Sequence, residues 1–442
     1  MKEIVAKFTT DLSLGNVPEK TLQDTKRCLL DTIGVAAAGS RLQLSSIARN
    51  VAPMLFGVSP RGARLFFADG HTSPAGAAFV NASTIDSFDA HDGHPLTKGH
   101  AGCGVLSGLM AIADVHDDMS GTEALINLIA GYEVAIRAGI ALHQTAPDYH
   151  TSGAWVGLGI VAAGARVLNL DRSMLREGLG IAEYNGPRSQ MMRCIDHPTM
   201  LKDGSGWGAM VGVSAAFLAK AGFTGAPAIT VEEPAVETLW NDLGSRWRIS
   251  EQYLKAYPVC RWAQPAMEAA MQLKREHKFT ATDILSIRIR TFHEASRLKI
   301  WNPQTTEIAQ YSLPFPVAAL LVKGQVGPDE IDDAALADRE ILSVAKSIEV
   351  IDDPEFSGRF PAERWASASI TLRNGTILES RPAVARGSAE NPFSDDEITT
   401  KFKLLMESAG HSKRVQGIVD YVWGIEKEPS LRRLADMIYG GR

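Results

Sequence analysis

The sequence has few of the features that mark specialised classes of protein. Its 442 residues include only four cysteines, Cys28, Cys103, Cys194 and Cys260, which are widely spaced and form no C-x-x-C pair. This spacing provides no zinc or iron–sulfur motif and is typical of free thiols in a reducing compartment. We therefore expect a cytoplasmic protein.

The charge balance is also unremarkable, since 45 basic and 51 acidic side chains leave a net charge of -6. Such a balance offers no basic face for nucleic acid and no attraction to an anionic membrane surface. No stretch of about 18 residues, enough to span a bilayer, is free of charged side chains. The N-terminal segment has no signal-peptide core. We expect neither nucleic acid nor a membrane as a partner.

The first half of the chain is predicted to be helical. Apolar residues recur at helical spacing over 21–39, with Gly39 as the candidate C-cap. Later segments are rich in glycine and alanine and are apolar nearly all round, which is typical of closely packed helices inside a bundle. Strand patterns are almost absent up to about residue 225. This half is predicted to form an all-helical domain.

The pattern changes after Pro234. Residues 284–295 alternate like a strand, and residues 367–384 are predicted to form a hairpin with a type I′ turn at Asn374-Gly375. Helical patterns flank these segments. Strands mixed with helices in this way indicate an α+β unit.

We therefore predict a mainly α protein made of two domains. A large all-helical domain covers 1–251, and residues 389–442 return to it. A smaller α+β lid domain covers 252–388.

Three polar segments each precede a helix that is rich in small residues, and they carry His100, His150 and Lys202. A helix N-terminus offers free N–H groups and a partial positive charge, so it attracts anions. If the three helices are neighbours, these side chains converge on one carboxylate-binding pocket. The alternative is three loop ends that share no site.

The segment DSFDAHDGHPLTKGHAGCG contains three aspartates, three histidines and a lysine. Its His91, Asp92, His94 and His100 are good metal-ligand types, but their spacing matches no metal motif. An acid/base site fits better, because histidine titrates near neutrality and a carboxylate such as Asp89 can orient it. A solvated loop is the third interpretation. We expect no bound metal.

Five motifs resemble those of the MmgE/PrpD family, and together they cover nearly the whole chain. They are DTIGVAAAG, FVNAS…DSFDAHDG…KGHAG, YHTSGAWVGLG, TMLKDGSGWGAMVGVSAAFLAKAGFTGAPAI and YLKAYPVCRWAQPAMEAA. The resemblance implies a large helical domain with an α+β lid and an active site between them. It also implies a homodimer that needs no metal or organic cofactor.

The resemblance also assigns roles by motif position. Asp89 and Asp92 match the paired aspartates, His100 and His150 the two histidines, and Lys202 and Lys255 the two lysines. Both lysines would neutralise substrate carboxylates, either histidine would move a proton, and a neutral aspartate would act as the acid in a dehydratase.

The chain departs from the family pattern at several of these positions. Asp203 follows the helix-start lysine where proline is common, and Gln264 replaces a histidine in the lid motif. His94 and Lys98 are additional polar residues beside His100, and we expect them to contact substrate. Because such residues line the pocket, they bear on which substrate it accepts.

The function implied is a lyase, either a hydro-lyase or a carboxy-lyase, acting on a small di- or tricarboxylate such as 2-methylcitrate or cis-aconitate. Both reactions pass through a carbanion next to a carboxylate. The first alternative is an isomerase or epimerase of a dicarboxylate such as iminodisuccinate, which Lys98 favours. The second alternative is a carboxylate-binding protein without catalysis, which would have no use for histidines beside aspartates.

Overall fold

The structure is a computed structural model that describes residues 3–58, 60, 62–116 and 118–441. The helices before the lid are α1 Glu3–Asp11, α2 Glu19–Gly39, α3 Gln43–Phe56, α4 Pro74–Asp86, α5 Ala101–Ala113, α6 Gly121–Thr145, α7 Val156–Ala165, α8 Arg172–Asn185, α9 Met191–Asp196, α10 Ser205–Lys220 and α11 Ile229–Glu232. The later helices are α12 Gln264–Glu276, α13 His293–Ser296, α14 Thr306–Gln310, α15 Pro314–Lys323, α16 Asp333–Leu336, α17 Arg339–Lys346, α18 Pro354–Arg359, α19 Asp395–Ser408, α20 Val415–Trp423 and α21 Arg432–Ile438. The strands are β1 Ala63–Leu65, β2 Ala68–Thr72, β3 Ile284–Thr291, β4 Ile348–Asp352, β5 Ala366–Leu372 and β6 Ile377–Glu379.

Helices α4, α5, α6, α7 and α10 pack against one another as a bundle whose small residues allow close contact. A Cβ atom on Gly159 of α7 would lie 2.4 Å from the carbonyl oxygen of Gly131 in α6, so only glycine fits there. Helix α6 is long and apolar enough to cross a membrane by length and composition, but its most apolar window is entirely buried within the protein. It also carries the buried pair Glu133 and Arg137, 3.5 Å apart. We interpret α6 as a core helix.

The first half is not wholly helical, because β1 and β2 form a small antiparallel sheet. Its β1 strand is held by Asn81 of α4, whose side-chain oxygen accepts from the Phe66 N–H at 2.8 Å. These strands have three and five residues, too short for a sequence pattern to reveal. The prediction of an all-helical domain was wrong in this detail.

The lid contains a four-stranded sheet in the order β4-β3-β5-β6, in which only the β3–β4 pair of the described strands is parallel. The predicted hairpin is the β5–β6 pair, but its turn is not type I′. Gly375 has a positive φ of 86°, whereas Asn374 does not appear among the described residues with positive φ. The Gly375 N–H donates to Leu372 O and the Leu372 N–H donates to Thr376 O, which fits a type I turn closed by a glycine bulge.

The C-terminal segment returns to the helical bundle through α19, which packs on α2. Lys401 of α19 lies 2.6 Å from the buried Asp31 carboxylate of α2 and donates to the carbonyl of Ala90 at 2.8 Å. The returning helix thus supports the loop that carries most of the candidate site residues. The mainly α architecture with a small mixed sheet confirms the predicted fold class, while the residue boundaries of the two domains stay a prediction.

Candidate active site

The loop between α4 and α5, residues 87–100, lies where the bundle meets the lid. Its Asp89 N–H donates to the side-chain oxygen of Gln310 at 2.8 Å, so the end of α14 holds the loop in place. A bridge pairs His94 with Gly99 and folds the loop back on itself. His100 is the N-cap residue of α5. The loop is therefore held in place by its own backbone pairing and by α14, which lies far away in the sequence.

Asp89 forms a buried ion pair with Lys255 from the start of the lid. The Lys255 Nζ lies 2.5 Å from Asp89 Oδ1 and 3.2 Å from its carbonyl oxygen. Burial alone would raise the pKa of Asp89, but the charges of Lys255 and Lys202 hold it well below its usual range. Asp89 is an anion that holds a cation in place, so it does not serve as the neutral acid considered from the sequence.

His100 is held in one tautomer by a backbone oxygen. Its Nδ1 lies 2.5 Å from the carbonyl oxygen of Asp92, which can only accept, so Nδ1 carries the hydrogen and Nε2 is left bare. Burial lowers the pKa of His100 to about 3, and the positive charge of Lys255 contributes. His100 is therefore neutral near neutral pH, with an unprotonated Nε2.

Asp203 and Tyr311 stand next to that bare nitrogen. Asp203 Oδ2 lies 3.6 Å from His100 Nε2, and the Tyr311 hydroxyl donates to the same oxygen at 3.3 Å. Burial raises the pKa of Asp203 to about 6, while His100 works against the rise. A carboxyl group that is readily protonated thus borders the histidine.

His91 packs against His100 with ring centroids 4.0 Å apart. Its Nε2 lies 3.4 Å from Asp86 Oδ1, and its Nδ1 is buried without a hydrogen-bond partner. Burial holds the pKa of His91 well below its usual range, with Lys255 adding to the effect. His91 therefore presents a neutral ring that supports one face of His100.

Lys98 and Lys202 approach the site in a strained backbone conformation. Their φ angles are 52° and 48°, in the left-handed region that costs non-glycine residues roughly 1–2 kcal/mol. Lys202 Nζ donates to Gln310 Oε1 at 2.8 Å and lies 4.6 Å from the centre of the Tyr311 ring. Lys98 Nζ lies 3.9 Å from the Tyr149 ring centre, and burial lowers its pKa to about 8. Such strain is concentrated where function fixes the geometry.

Several of these groups line a small cavity of about 30 Å³, which is room for about one water molecule. A volume of this size is too small to hold a di- or tricarboxylate. The cavity is lined by Asp89, Lys98, His100, Thr151, Met191, Cys194, Ile195, Asp203, Tyr253, Lys255, Cys260, Arg261, Trp262 and Tyr311.

Four of the predicted site residues are not among the described residues that line this cavity, namely His150, His94, Asp92 and Lys202. His150 contacts its own loop, with Nδ1 2.9 Å from Asp148 O and its N–H donating to His143. His94 Nε2 lies 3.3 Å from Glu251 Oε2, and its Nδ1 accepts from the Leu96 N–H of the same loop at 3.2 Å. The carboxyl of Asp92 accepts from Gln252, and burial raises its pKa to about 7.

The arrangement of the helices explains in part which predicted residues line the cavity. Helices α5, α7 and α10 are mutual neighbours, as the convergence hypothesis required. His100 caps α5 directly, whereas His150 is separated from α7 by the short helical turn Ser152–Ala154. Lys202 lies two residues before Gly204, the N-cap residue of α10. Of the three, only His100 is among the described residues that line the cavity, and Thr151 takes the place expected for His150. Lys202 instead contacts Gln310 and the ring of Tyr311, which itself lines the cavity.

Several residues at the site were missed or misjudged in sequence reasoning. Asp203 was noted only as a departure from the family pattern, and Tyr311 and Gln310 carry no local signal because they follow Asp89 by more than 200 residues. Arg261 lines the cavity and donates to the carbonyl of Arg386 at 2.6 Å.

Gln264, which replaces a family histidine, is buried outside the cavity wall. Its side-chain nitrogen donates to the carbonyls of Tyr257 and Val259, and its oxygen accepts from Arg261. Gln264 thus holds the turn that follows Lys255 and does not line the described cavity.

Asp89, His91 and His100 offer three potential metal-ligand atoms within 4.8 Å of one another. The chemistry of the group does not fit a cation. Lys255 Nζ already bonds Asp89 Oδ1, and the charge of Lys202 also lowers the pKa values of Asp89 and His91. The ammonium groups of Lys255 and Lys202 would therefore repel a divalent ion at this position.

Comparison with known proteins identifies the family. The MmgE/PrpD N-terminal domain matches residues 3–237, and the MmgE/PrpD C-terminal domain matches residues 257–425. The chain is 24% identical to a cis-aconitate decarboxylase-like protein of Aspergillus oryzae over 98% of this chain and 96% of the relative.

Two further relatives carry the names of lyases. Human cis-aconitate decarboxylase is 23% identical over 100% of this chain and 95% of its own length. The mitochondrial 2-methylcitrate dehydratase of Yarrowia lipolytica is 25% identical over 81% of this chain and 74% of the enzyme. With both domains matched in order along the chain, the protein is a member of the MmgE/PrpD family.

Proposed function

We propose that the protein is a cofactor-independent lyase acting on a small di- or tricarboxylate such as 2-methylcitrate or cis-aconitate. The observation that carries the proposal is the bare Nε2 of His100 in a buried cavity bordered by the cations Lys98, Lys255 and Arg261. A proton-accepting group among fixed cations suits a reaction that develops a carbanion beside a carboxylate. The names of the relatives support the same class of reaction.

In this proposal the cations bind and orient the substrate. Lys98 and Arg261 would neutralise its carboxylates, and Lys255 would stabilise the charge that develops as the carbanion delocalises. Because the groups are buried, water competes less for the charges and their effect is stronger. His100 would accept the proton in a dehydration, since its Nε2 is free to do so.

The isomerase alternative has less support from the geometry. An epimerase needs two groups on opposite faces of one carbon, and a pair of His100 and His150 was the candidate. His150 is not among the described residues that line the cavity, and its ring nitrogen Nδ1 lies against Asp148 O in its own loop. Lys98, which favoured this alternative, does line the cavity and fits the lyase equally well.

We also propose that activity needs no metal, because Lys255 bonds the Asp89 oxygen that a metal ion would use. Extensive dialysis against a chelator is expected to leave turnover unchanged. Loss of activity that one divalent metal restores would contradict the proposal.

A homodimer and a cytoplasmic location are further parts of the proposal. Trp207 on α10 is 48% exposed although its ring lies 5.3 Å from that of Phe79, which makes an apolar surface that a second copy would cover. All four cysteines are free, as expected in a reducing compartment. Light scattering is expected to give a dimer mass for the wild type and a monomer for Trp207→Glu.

The deciding experiment is proton NMR of the purified protein in D2O with separate carboxylates. The panel contains 2-methylcitrate, citrate, cis-aconitate and iminodisuccinate, and His100→Gln is the matched control. A new alkene or a decarboxylated product that the control does not form is expected. Deuterium exchange at a Cα–H without net conversion would favour the isomerase, and carboxylate binding without turnover of any of these acids would contradict both enzymes.

A further inference from the structure

Three aspartates lie around His100, and their environments differ. Asp89 is paired with Lys255 at 2.5 Å and is held as an anion. Asp92 offers its backbone oxygen to His100, while its carboxyl is buried outside the described cavity wall. Asp203 remains, with its Oδ2 3.6 Å from His100 Nε2 and its side chain in the cavity wall.

We propose that Asp203 is the general acid of the reaction and delivers its carboxyl proton to the substrate. The inference rests on the proposed lyase function and deepens it, since neither aspartate singled out from the sequence combines a neutral carboxyl with a place in the cavity. Its position beside His100 lets one pocket hold a base and an acid at the same time.

The proton balance is simple for both kinds of lyase. In a decarboxylation the C–C bond breaks, CO2 leaves, and the electron pair remaining on carbon takes the proton of Asp203. In a dehydration His100 Nε2 takes the proton from carbon, the C=C bond forms, and the leaving hydroxyl departs with the proton of Asp203 as water. In each case Asp203 is left as a carboxylate, which solvent reprotonates after product release. After a dehydration the His100 imidazolium also returns its extra proton to solvent.

The surroundings of Asp203 favour its protonated form. Burial raises its pKa to about 6, and the negative charges of Asp86 and Asp89 act in the same direction. An anionic substrate would raise the pKa further by repulsion. The Tyr311 hydroxyl donates to Oδ2, which leaves Oδ1 as the oxygen that can carry the proton. The ionisable groups that act on or border Asp203 include His100, Asp86, Asp89, Lys255, Cys103, Cys194, Cys260 and Tyr311.

The test compares Asp203→Asn with Asp203→Glu, using cis-aconitate and 2-methylcitrate as substrates. Asn keeps the size but has no acidic proton, and it is expected to lower kcat at least about 100-fold with a much smaller change in KM. Glu keeps the acid at a shifted position and is expected to recover part of the loss. Asp86→Asn is the control for removing a neighbouring buried carboxyl, since Asp86 is not among the described residues of the cavity wall.

The pH profile separates an acid from a merely structural residue. In the wild type, kcat/KM is expected to fall as the pH rises through about 6, because Asp203 loses its proton there. In Asp86→Asn the same fall is expected at a lower pH, since the Asp86 charge helps to raise the Asp203 pKa. Asp203→Asn is expected to lack this limb. A well-folded Asp203→Asn variant with kcat within about threefold of the wild type, or with the limb intact, would overturn the inference and leave the lyase proposal standing.

A measurement that needs no turnover keeps the two proposals apart. Infrared difference spectra of the wild type, with tricarballylate as an unreactive anion, are expected to contain a protonated-carboxyl band that Asp203→Asn lacks. Absence of that band from about pH 5 to about pH 8 would overturn the assignment of Asp203 even for a protein that turns over none of the carboxylates tested.

Discussion

The ammonium group of Lys255 lies 2.5 Å from Oδ1 of Asp89, and both side chains are almost completely buried. The pair joins the first residues of the lid to the α4–α5 loop of the bundle, so one interaction fixes the two halves of the site. A buried ion pair of this kind is costly to break from one side, because the remaining charge has no partner.

A double-mutant cycle tests this relationship. Lys255→Met and Asp89→Asn are each expected to lower the free energy of unfolding by about 3–5 kcal/mol, because each leaves one buried charge unpaired. The double variant is expected to lose much less than the sum. Urea unfolding monitored by circular dichroism measures all four proteins, and strictly additive losses would contradict a direct pair.

The strained lysine at the cavity allows substrate binding to be separated from backbone strain. Lys98→Asn and Lys98→Ala both remove the ammonium group, so both are expected to raise KM at least tenfold, about 1.4 kcal/mol of binding, with little change in kcat. Asn tolerates the φ of 52° better than Ala, so Lys98→Asn is expected to be more stable than Lys98→Ala by about 1 kcal/mol. Steady-state kinetics and thermal unfolding measure the two effects, and an unchanged KM in both variants would remove Lys98 from the binding site.

Gly102 allows the start of α5 to approach a buried hydroxyl. A Cβ atom there would lie 2.0 Å from Tyr132 Oη and 2.7 Å from Asp92 Oδ1. Gly102→Ala is therefore expected to destabilise the protein by about 1–3 kcal/mol and to lower activity by displacing the adjacent His100. Adding Tyr132→Phe removes the clashing oxygen and is expected to restore part of the stability, as thermal unfolding would record. Full stability in the single variant would show that the contact is not tight.

Asp203 carries a stability cost that depends on pH. Its pKa of about 6 in the folded protein exceeds the ordinary 3.8, so the folded state binds the proton more tightly and stability falls as the pH rises between these values. Asp203→Asn removes this pH dependence of the stability. Relative to the wild type, the variant is expected to gain up to about 3 kcal/mol in free energy of unfolding between pH 4 and 7. Urea unfolding across this range checks the slope, and equal slopes in both proteins would contradict the raised pKa.

Local patterns in the sequence were sufficient for most elements of the fold. The helix ending at Gly39, the strand β3 and the β5–β6 hairpin follow from apolar periodicity and from the residues that end each element. The prediction of a type I′ turn was wrong because Asn-Gly is compatible with more than one type of turn. The pairing of β5 with β6 determines that Gly375 forms a bulge here. Sequence patterns likewise missed β1 and β2, which are too short to show a period.

Part of the site was predictable from motif position, since Asp89 and Lys98 line the cavity as expected. His100 and Lys255 lie in the cavity as their motifs indicated, whereas Asp92 and His94 belong to the same loop and turn away. A loop that folds back on itself points adjacent residues in different directions, and no periodicity describes that reversal.

By itself the sequence determined the helical bundle, the presence of a mixed α+β lid and the family, because these depend on local periodicity and on motifs that are contiguous in the chain. Only the tertiary structure decided which acid and base meet. Asp203, His100 and Tyr311 come from three separate elements, and their 3.6 Å and 3.3 Å separations exist only after the bundle and lid have packed. The ionisation of these groups was decided at the same stage, because burial and the charges of distant residues set a pKa and neither can be read from neighbouring residues in the sequence.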